Sequence, residues 1–159
     1  AASDRGRDFL HGGLLEAYQT PDAEVVVVGM GSMMGTVRYT VDIMRAAGKR
    51  VGMVKIRSFR PFPKERLREM LGGGSTKMVI VLEKFHFGAL FDEVRSALYG
   101  MKNAPNVMGF GLGFNGRNVE PYNIIDICEQ GYRGINKRSL PQGSQLYFIR
   151  KKDEATGGN

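Results

Sequence analysis

Four consecutive β-branched residues, Val25 to Val28, run directly into Gly29-Met30-Gly31-Ser32-Met33-Met34-Gly35, and no other stretch constrains the chain as much. A short, unbroken valine run reads as a strand buried on both faces. The glycines make a tight turn. From Thr36 the apolar spacing becomes helical, with Val37, Val41 and Met44 on one face. Strand, glycine turn and helix open an α/β unit. The turn either holds an anion or only makes a close corner, and both readings stay open.

The same alternation continues. The first helix is expected over Thr36–Ala47, stopped by Gly48 at a position that tolerates positive φ. A second strand spans about Arg50–Ser58, and Pro61 and Pro63 break it because neither can donate to a ladder. Pro63 then opens a second helix carrying Leu67, Met70 and Leu71. A third strand covers Lys77–Leu82 and a third helix about Ala89–Tyr99, with Leu90, Phe91, Val94, Ala97 and Leu98 inward. A fourth strand at Val107–Phe110 meets a second glycine-rich loop, Gly111 to Asn118. Pro121 starts a fourth helix with Ile124, Ile127 and Cys128 inward, and a last strand is expected at Leu146–Ile149. Strand–helix alternation argues for a mostly parallel sheet between helix layers. Residues 1–23 read as an irregular linker or arm, 24–150 as the domain and 151–159 as a disordered tail.

A chain of 159 residues holds one domain with a real core. Its apolar runs are about a strand long, far below the roughly 20 residues of a membrane span. The single cysteine, Cys128, excludes an internal disulfide and any iron–sulfur or zinc site built on cysteines, and it fits a reducing, cytoplasmic compartment. Two histidines, His11 and His86, leave no His-rich metal centre. Net charge is +7 and uneven: Lys49–Arg68 holds eight basic residues against Glu65 alone, and Gly131–Lys152 holds six with no acid. Such a field attracts acidic partners or phosphorylated ligands, or is simply a set of solvated side chains. Basic and aromatic residues do not interleave as on a nucleic-acid platform, which argues against nucleic acid.

Three places could carry chemistry. Gly29-x-Gly31-x-x-x-Gly35 is one residue longer than the dinucleotide fingerprint, and the acid expected about 20 residues later is missing. Without a Gly-Lys-Ser/Thr ending it is no P-loop. Gly31 and Ser32 remain candidate anion contacts, since a helix start offers free N–H groups. Lys55-x-Arg57-x-x-Arg60 lies at the carboxyl end of the second strand, where open α/β sheets collect ligands. Arg57 and Arg60 are thus candidate clamps for a phosphate or carboxylate, or partners for acids of a neighbouring domain. Glu83-Lys84-Phe85-His86 offers a carboxylate and a histidine for acid–base work, or an ordinary loop. Cys128 and most of the nine methionines read as core. No Ser-His-Asp or Cys-His set, paired acids or metal spacing appears, so no catalytic residue and no metal ligand is assigned.

Taken together, VVVVGMGSMMGTVRYTVDIMRAAGKRVGMVKIRSFRPFP, KMVIVLEK, GALFDEVRSALYG and GFGLGFNGRNVEP resemble the second domain of the α subunit of pyruvate and other 2-oxoacid:ferredoxin oxidoreductases, over roughly Tyr18–Asp126. The resemblance implies the transketolase C-terminal-like fold: a three-layer α/β/α domain with a mixed, mostly parallel five-stranded sheet, one strand antiparallel. It implies a thiamine-diphosphate-dependent complex that oxidatively decarboxylates a 2-oxoacid to an acyl-CoA and passes electrons through iron–sulfur clusters to ferredoxin. Thiamine diphosphate, magnesium, the clusters and CoA belong to partner domains, and this chain holds no cofactor of its own. The loop after Lys84 is shorter than the family's, and the basic tail from Tyr132 has no counterpart in the resemblance.

The leading expectation is a non-catalytic assembly domain whose partners are the other subunits, with ferredoxin reached indirectly. Arg57, Arg60 and the loops at Gly29–Gly35 and Gly111–Arg117 would face those partners or an anion such as the CoA phosphates. The rival readings are a stand-alone anion- or small-ligand-binding module and a transketolase-like domain of a 2-oxoacid dehydrogenase β subunit.

Overall fold

The computed structural model describes residues 13–84, 88–113, 116–137, 139–141 and 143–147. His11, His86, the end of the expected last strand and the expected tail at 151–159 lie outside them. The described elements are β1 (Leu15–Tyr18), β2 (Val25–Met30), α1 (Met33–Ala46), β3 (Val51–Ile56), α2 (Lys64–Leu71), β4 (Met78–Glu83), α3 (Ala89–Leu98), β5 (Asn106–Gly111), α4 (Pro121–Gly134) and β6 (Ser144–Leu146). They build one six-stranded sheet in the order β1-β3-β2-β4-β5-β6. β1 runs antiparallel to β3; every other neighbouring pair is parallel.

The sheet is mixed and mostly parallel, as expected, but it has six strands where five were expected. The antiparallel strand, β1, lies within the stretch read as an irregular arm. It pairs Leu15 with Ile56 and Tyr18 with Met53. The late strand is Ser144–Leu146, two residues ahead of the expected start, pairing Gly109 with Ser144 and Gly111 with Leu146.

β2 is central because its side chains suit no surface: Val25 to Val28 are all fully buried. Alternation divides them between two cores. Val25 and Val27 join Met53, Ile80, Leu82 and Phe110 under α1 and α4. Val26 and Val28 join Val54, Ile56, Val79 and Val81 under α2 and α3. Burying a valine stabilises by about 1.5–3 kcal/mol, so this strand anchors both layers. α1 begins at Met33, three residues before the expected start, because Met33 and Met34 are buried beneath its first turn. Gly48 follows its end at φ +82°, as expected.

The connections share a hand until the last. α1 carries the chain from β2 sideways to β3 on one face, and α2 and α3 carry it the other way on the opposite face. α4 returns to the face of α1 while moving from β5 to β6 in that second direction. Its crossover therefore has the hand opposite to the other three, against the usual preference. The consequence is local: the amino end of α4 lies beside that of α1.

Candidate functional site

β2, β3, β4 and β5 are parallel, so their carboxyl ends share one edge of the sheet. After β2 the chain turns at Gly31, whose φ of +78° is left-handed, and Ser32 caps α1. The Ser32 side chain makes no capping hydrogen bond, and the first turn of α1 holds no acid. Gly29 answers a steric demand instead: a Cβ there would lie 2.5 Å from Met34 Sδ. The first glycine turn is thus a packing corner at Gly29 and an open helix start at Gly31–Ser32.

After β5 the chain passes Leu112, buried, and Gly113 at φ +76°, then returns through Gly116 at φ +70° to α4. Here the helix start is closed. The Glu120 side chain accepts a hydrogen bond from the third-residue backbone of α4, and Asn123 Oδ1 accepts the Glu120 N–H at 2.9 Å. Pro121 fits the first helical position.

Between these two helix starts lies a cleft of about 620 Å³. Ser32, Thr36 and Tyr39 of the α1 side, Lys84 after β4, and Arg117 and Glu120 before α4 line it. Lys84 forms no ion pair with an acid among the described residues. Its lining groups give a mildly cationic hollow with a phenol ring at its edge.

Of the four candidate anion contacts, only Ser32 lines this cleft, with Gly31 immediately before it. The two arginines are spent elsewhere. Arg57 Nη2 donates to Glu16 Oε2 at 2.9 Å, and Arg38 Nη1 donates to the other oxygen of that carboxylate at 3.1 Å. Arg60 pairs with Glu93 at 2.7 Å, donates to the Phe59 carbonyl at 2.8 Å and lies 4.4 Å from the centre of the Phe59 ring. Within this chain they bind acids of β1 and α3. Glu83 is half committed: its Oε1 accepts the Leu90 N–H at 2.7 Å at the start of α3, while its Oε2 is buried with no hydrogen-bond partner among the described residues. Its suggested partner, His86, lies outside the described residues.

Arg117 ends the loop expected to face partners or an anion and Lys84 lies in the stretch considered for acid–base work, whereas nothing in the sequence marks Tyr39. The first two follow the carboxyl ends of parallel strands, which was the available signal. Burial pushes the Cys128 thiol up to about 12, so it stays protonated at neutral pH. Among the described residues no group of three His, Cys, Asp or Glu is placed to hold a metal ion. A lone buried, protonated thiol does not fit an iron–sulfur cluster, and the chain has no Gly-Asp-Gly stretch for a magnesium-bound diphosphate. Among the same residues no helix is long and apolar enough to cross a membrane.

The architecture is that of a transketolase C-terminal-like α/β domain. Two solved structures share it: a 2-oxoglutarate:ferredoxin oxidoreductase from Magnetococcus marinus (TM-score 0.61, 21% identity, 79% of this chain and 21% of that one) and a split-gene transketolase (TM-score 0.58, 17% identity, 74% and 41%). At those identities the likeness is one of fold. The family model described as pyruvate:ferredoxin oxidoreductase core domain II matches residues 23–124, and the chain belongs to that family. It is 42% identical over 147 residues to the pyruvate synthase subunit PorA of Methanosarcina barkeri, covering 89% of this chain and 36% of that one. It is 35% identical over 150 residues to the ketoisovalerate oxidoreductase subunit VorA of Pyrococcus horikoshii, covering 92% and 37%. The chain thus spans little more than a third of the length of these relatives.

Proposed function

We propose that this chain serves as the second domain of the α subunit of a thiamine-diphosphate-dependent 2-oxoacid:ferredoxin oxidoreductase, and that its part there is assembly. The observation that carries the reading is the 42% identity to a pyruvate synthase subunit across 89% of the chain. The complex oxidatively decarboxylates a 2-oxoacid, forms an acyl-CoA and delivers electrons to ferredoxin in the cytoplasm. Thiamine diphosphate, magnesium, iron–sulfur clusters and CoA reside in partner domains.

The side chains support an assembly role. Arg57, Arg60 and Glu83, the groups best placed for chemistry by sequence, are each tied to another part of this domain. Cys128 is buried and protonated. What the domain offers outward is its two helix layers and the edge where the parallel strands end.

The test is co-expression with the candidate partner subunits. Expected are one co-purifying complex and 2-oxoacid- and CoA-dependent reduction of ferredoxin. A chain that stays monomeric beside those subunits ends the assembly reading. A complex that reduces a nicotinamide but not ferredoxin would transfer the chain to the dehydrogenase class.

A further inference from the structure

We infer that the outer face of α1 is a self-association surface, on which a second copy of this chain docks with its own α1 antiparallel. The pairing needs no other subunit, so it stands apart from the assembly reading. A helix on the surface of a domain turns a polar side to water. α2 does so: its exposed positions are Lys64, Glu65, Arg66 and Glu69. α1 does not. Gly35, Tyr39 and Ile43, with Ala47 at its cap, recur every fourth residue and are all exposed, Tyr39 at 61% and Ile43 at 38%. Of the five exposed large apolar side chains among the described residues, these two alone lie one turn apart on a helix. Residues spaced by four form a ridge, and two such ridges interlock at a crossing of about 50°.

The charges beside the ridge identify the occupant. Arg38 and Asp42 flank it on the side of β1, where Tyr18 steadies both. The Tyr18 ring centre lies 4.2 Å from the Arg38 guanidinium carbon, and the Tyr18 hydroxyl donates to Asp42 Oδ1 at 2.7 Å. Each keeps capacity for a further contact. The Arg38 side chain is 51% exposed beside its bond to Glu16, and Asp42 Oδ2 accepts no hydrogen bond among the described residues. A two-fold axis crossing α1 between Tyr39 and Ile43 sets Tyr39 of one copy against Ile43 of the other. It also brings each Arg38 toward the other copy's Asp42. A two-fold contact uses one patch twice, so that patch must complement itself. A cation and an acid four residues apart, on one side of an apolar ridge, meet that condition. A partner surface of single sign would repel one of them. The contact is small: α1 has 14 residues, about 21 Å of helix, and one such face falls below the roughly 800 Å² per partner of a stable interface. The dimer is therefore expected at about 0.1 mM chain rather than at nanomolar concentration.

Sedimentation equilibrium of the 159-residue chain alone tests this, from about 10 μM to 1 mM. Expected is a monomer–dimer equilibrium that Tyr39→Glu weakens by roughly tenfold or more, with an unchanged unfolding midpoint because the replaced side chain is exposed. Cross-linking reads the orientation. Cys128 is buried, so cysteines introduced on the ridge report without interference. Tyr39→Cys chains mixed with Ile43→Cys chains should form disulfide dimers several-fold faster than either variant alone. A chain that stays monomeric up to about 1 mM overturns the pairing, and so does a dimer indifferent to Tyr39→Glu. Equal cross-linking in the mixed and unmixed samples overturns the antiparallel two-fold docking. A chain monomeric alone, whose Tyr39→Glu variant loses its hold on the other subunits, would give the ridge to those subunits and end the pairing. A chain that pairs with itself but not with those subunits ends the assembly reading and leaves this one standing.

Discussion

Gly52 holds the place where the antiparallel strand leaves the sheet, and substituting it tests that junction. A Cβ on Gly52 would lie 2.5 Å from the carbonyl oxygen of Gln19 and 2.9 Å from its carbon, both backbone atoms. That oxygen is about 0.9 Å nearer than the 3.4 Å at which ordinary contact begins. A flexible side-chain end could swing away, but this carbonyl is held. Arg45 Nη2 donates to it at 2.7 Å, and the same guanidinium grips Asp22 through two bonds of 2.9 Å. Gln19 is also the one described non-glycine residue at positive φ, +56°, so the turn has little slack.

Gly52→Ala must therefore push the 19–22 turn outward or bend β3. Overpacking of this kind costs about 1–3 kcal/mol, and weakening the Arg45–Gln19 bond adds up to about 1 kcal/mol. For a domain of this size each kcal/mol lowers Tm by roughly 2–4 °C. The expected drop is about 2–16 °C, with a matching fall in the urea midpoint at unchanged slope. Gln19→Gly should restore part of the loss in the double variant, because glycine lets the carbonyl turn aside. A Gly52→Ala protein within about 0.5 kcal/mol of the parent would refute the reasoning, and so would a double variant no better than the single one.

Three further outcomes are expected. Arg68 donates to the carbonyls of Ala97 and Tyr99 at 2.7 and 3.0 Å, closing the end of α3; Arg68→Ala should cost about 1–2 kcal/mol in denaturant unfolding. Arg57→Ala should cost less than about 1 kcal/mol, since the Arg57–Glu16 pair is partly exposed at 27% and 22%; a larger loss would mean that β1 depends on that carboxylate. Cys128 has its pKa raised by burial from 9.0 to about 12, so its contribution to stability is complete below pH 9.0 and falls away as pH rises through about 12. A thiol reagent at pH 8 should accordingly react with the native chain no faster than the chain opens, and Cys128→Val should soften the alkaline decline measured by unfolding midpoint.

Much of the frame was legible because its signals are local. Val25 to Val28 marked the central strand, Pro63 the start of α2 and Pro121 that of α4, each by backbone chemistry within a few residues. β1 escaped because nothing local marks it. Leu15-Glu16-Ala17-Tyr18 is four residues with one buried side chain, and it is a strand only because β3 supplies a ladder some 35 residues away. The start of α1 was placed late for a related reason. Met33 and Met34 sit in a glycine-rich stretch, and their burial depends on the sheet beneath. Arg57 and Arg60 show the same limit at the level of the site. Position at a strand's carboxyl end suggests a place for anions, and within this chain Arg57 and Arg60 meet Glu16 and Glu93, brought there by tertiary packing.

The two glycine-rich loops meet at one hollow only through the return of α4. Had the last crossover kept the hand of the others, α4 would cover the face of α2 and α3, and Arg117 would open away from Ser32 and Tyr39. Because it packs beside α1, two helix starts meet at one hollow with opposite endings: α4 is closed by its own Glu120, and α1 carries no acid in its first turn. Electrostatically the pair is asymmetric, and the favourable place for added negative charge is the α1 side, toward Ser32 and Lys84. Gly29 also finds its reason in that arrangement. By admitting Met34 under the turn it lets α1 begin hard against β2, with the Met34 and Gly35 N–H groups bonded to the Gly31 and Ser32 carbonyls at 3.3 and 3.1 Å.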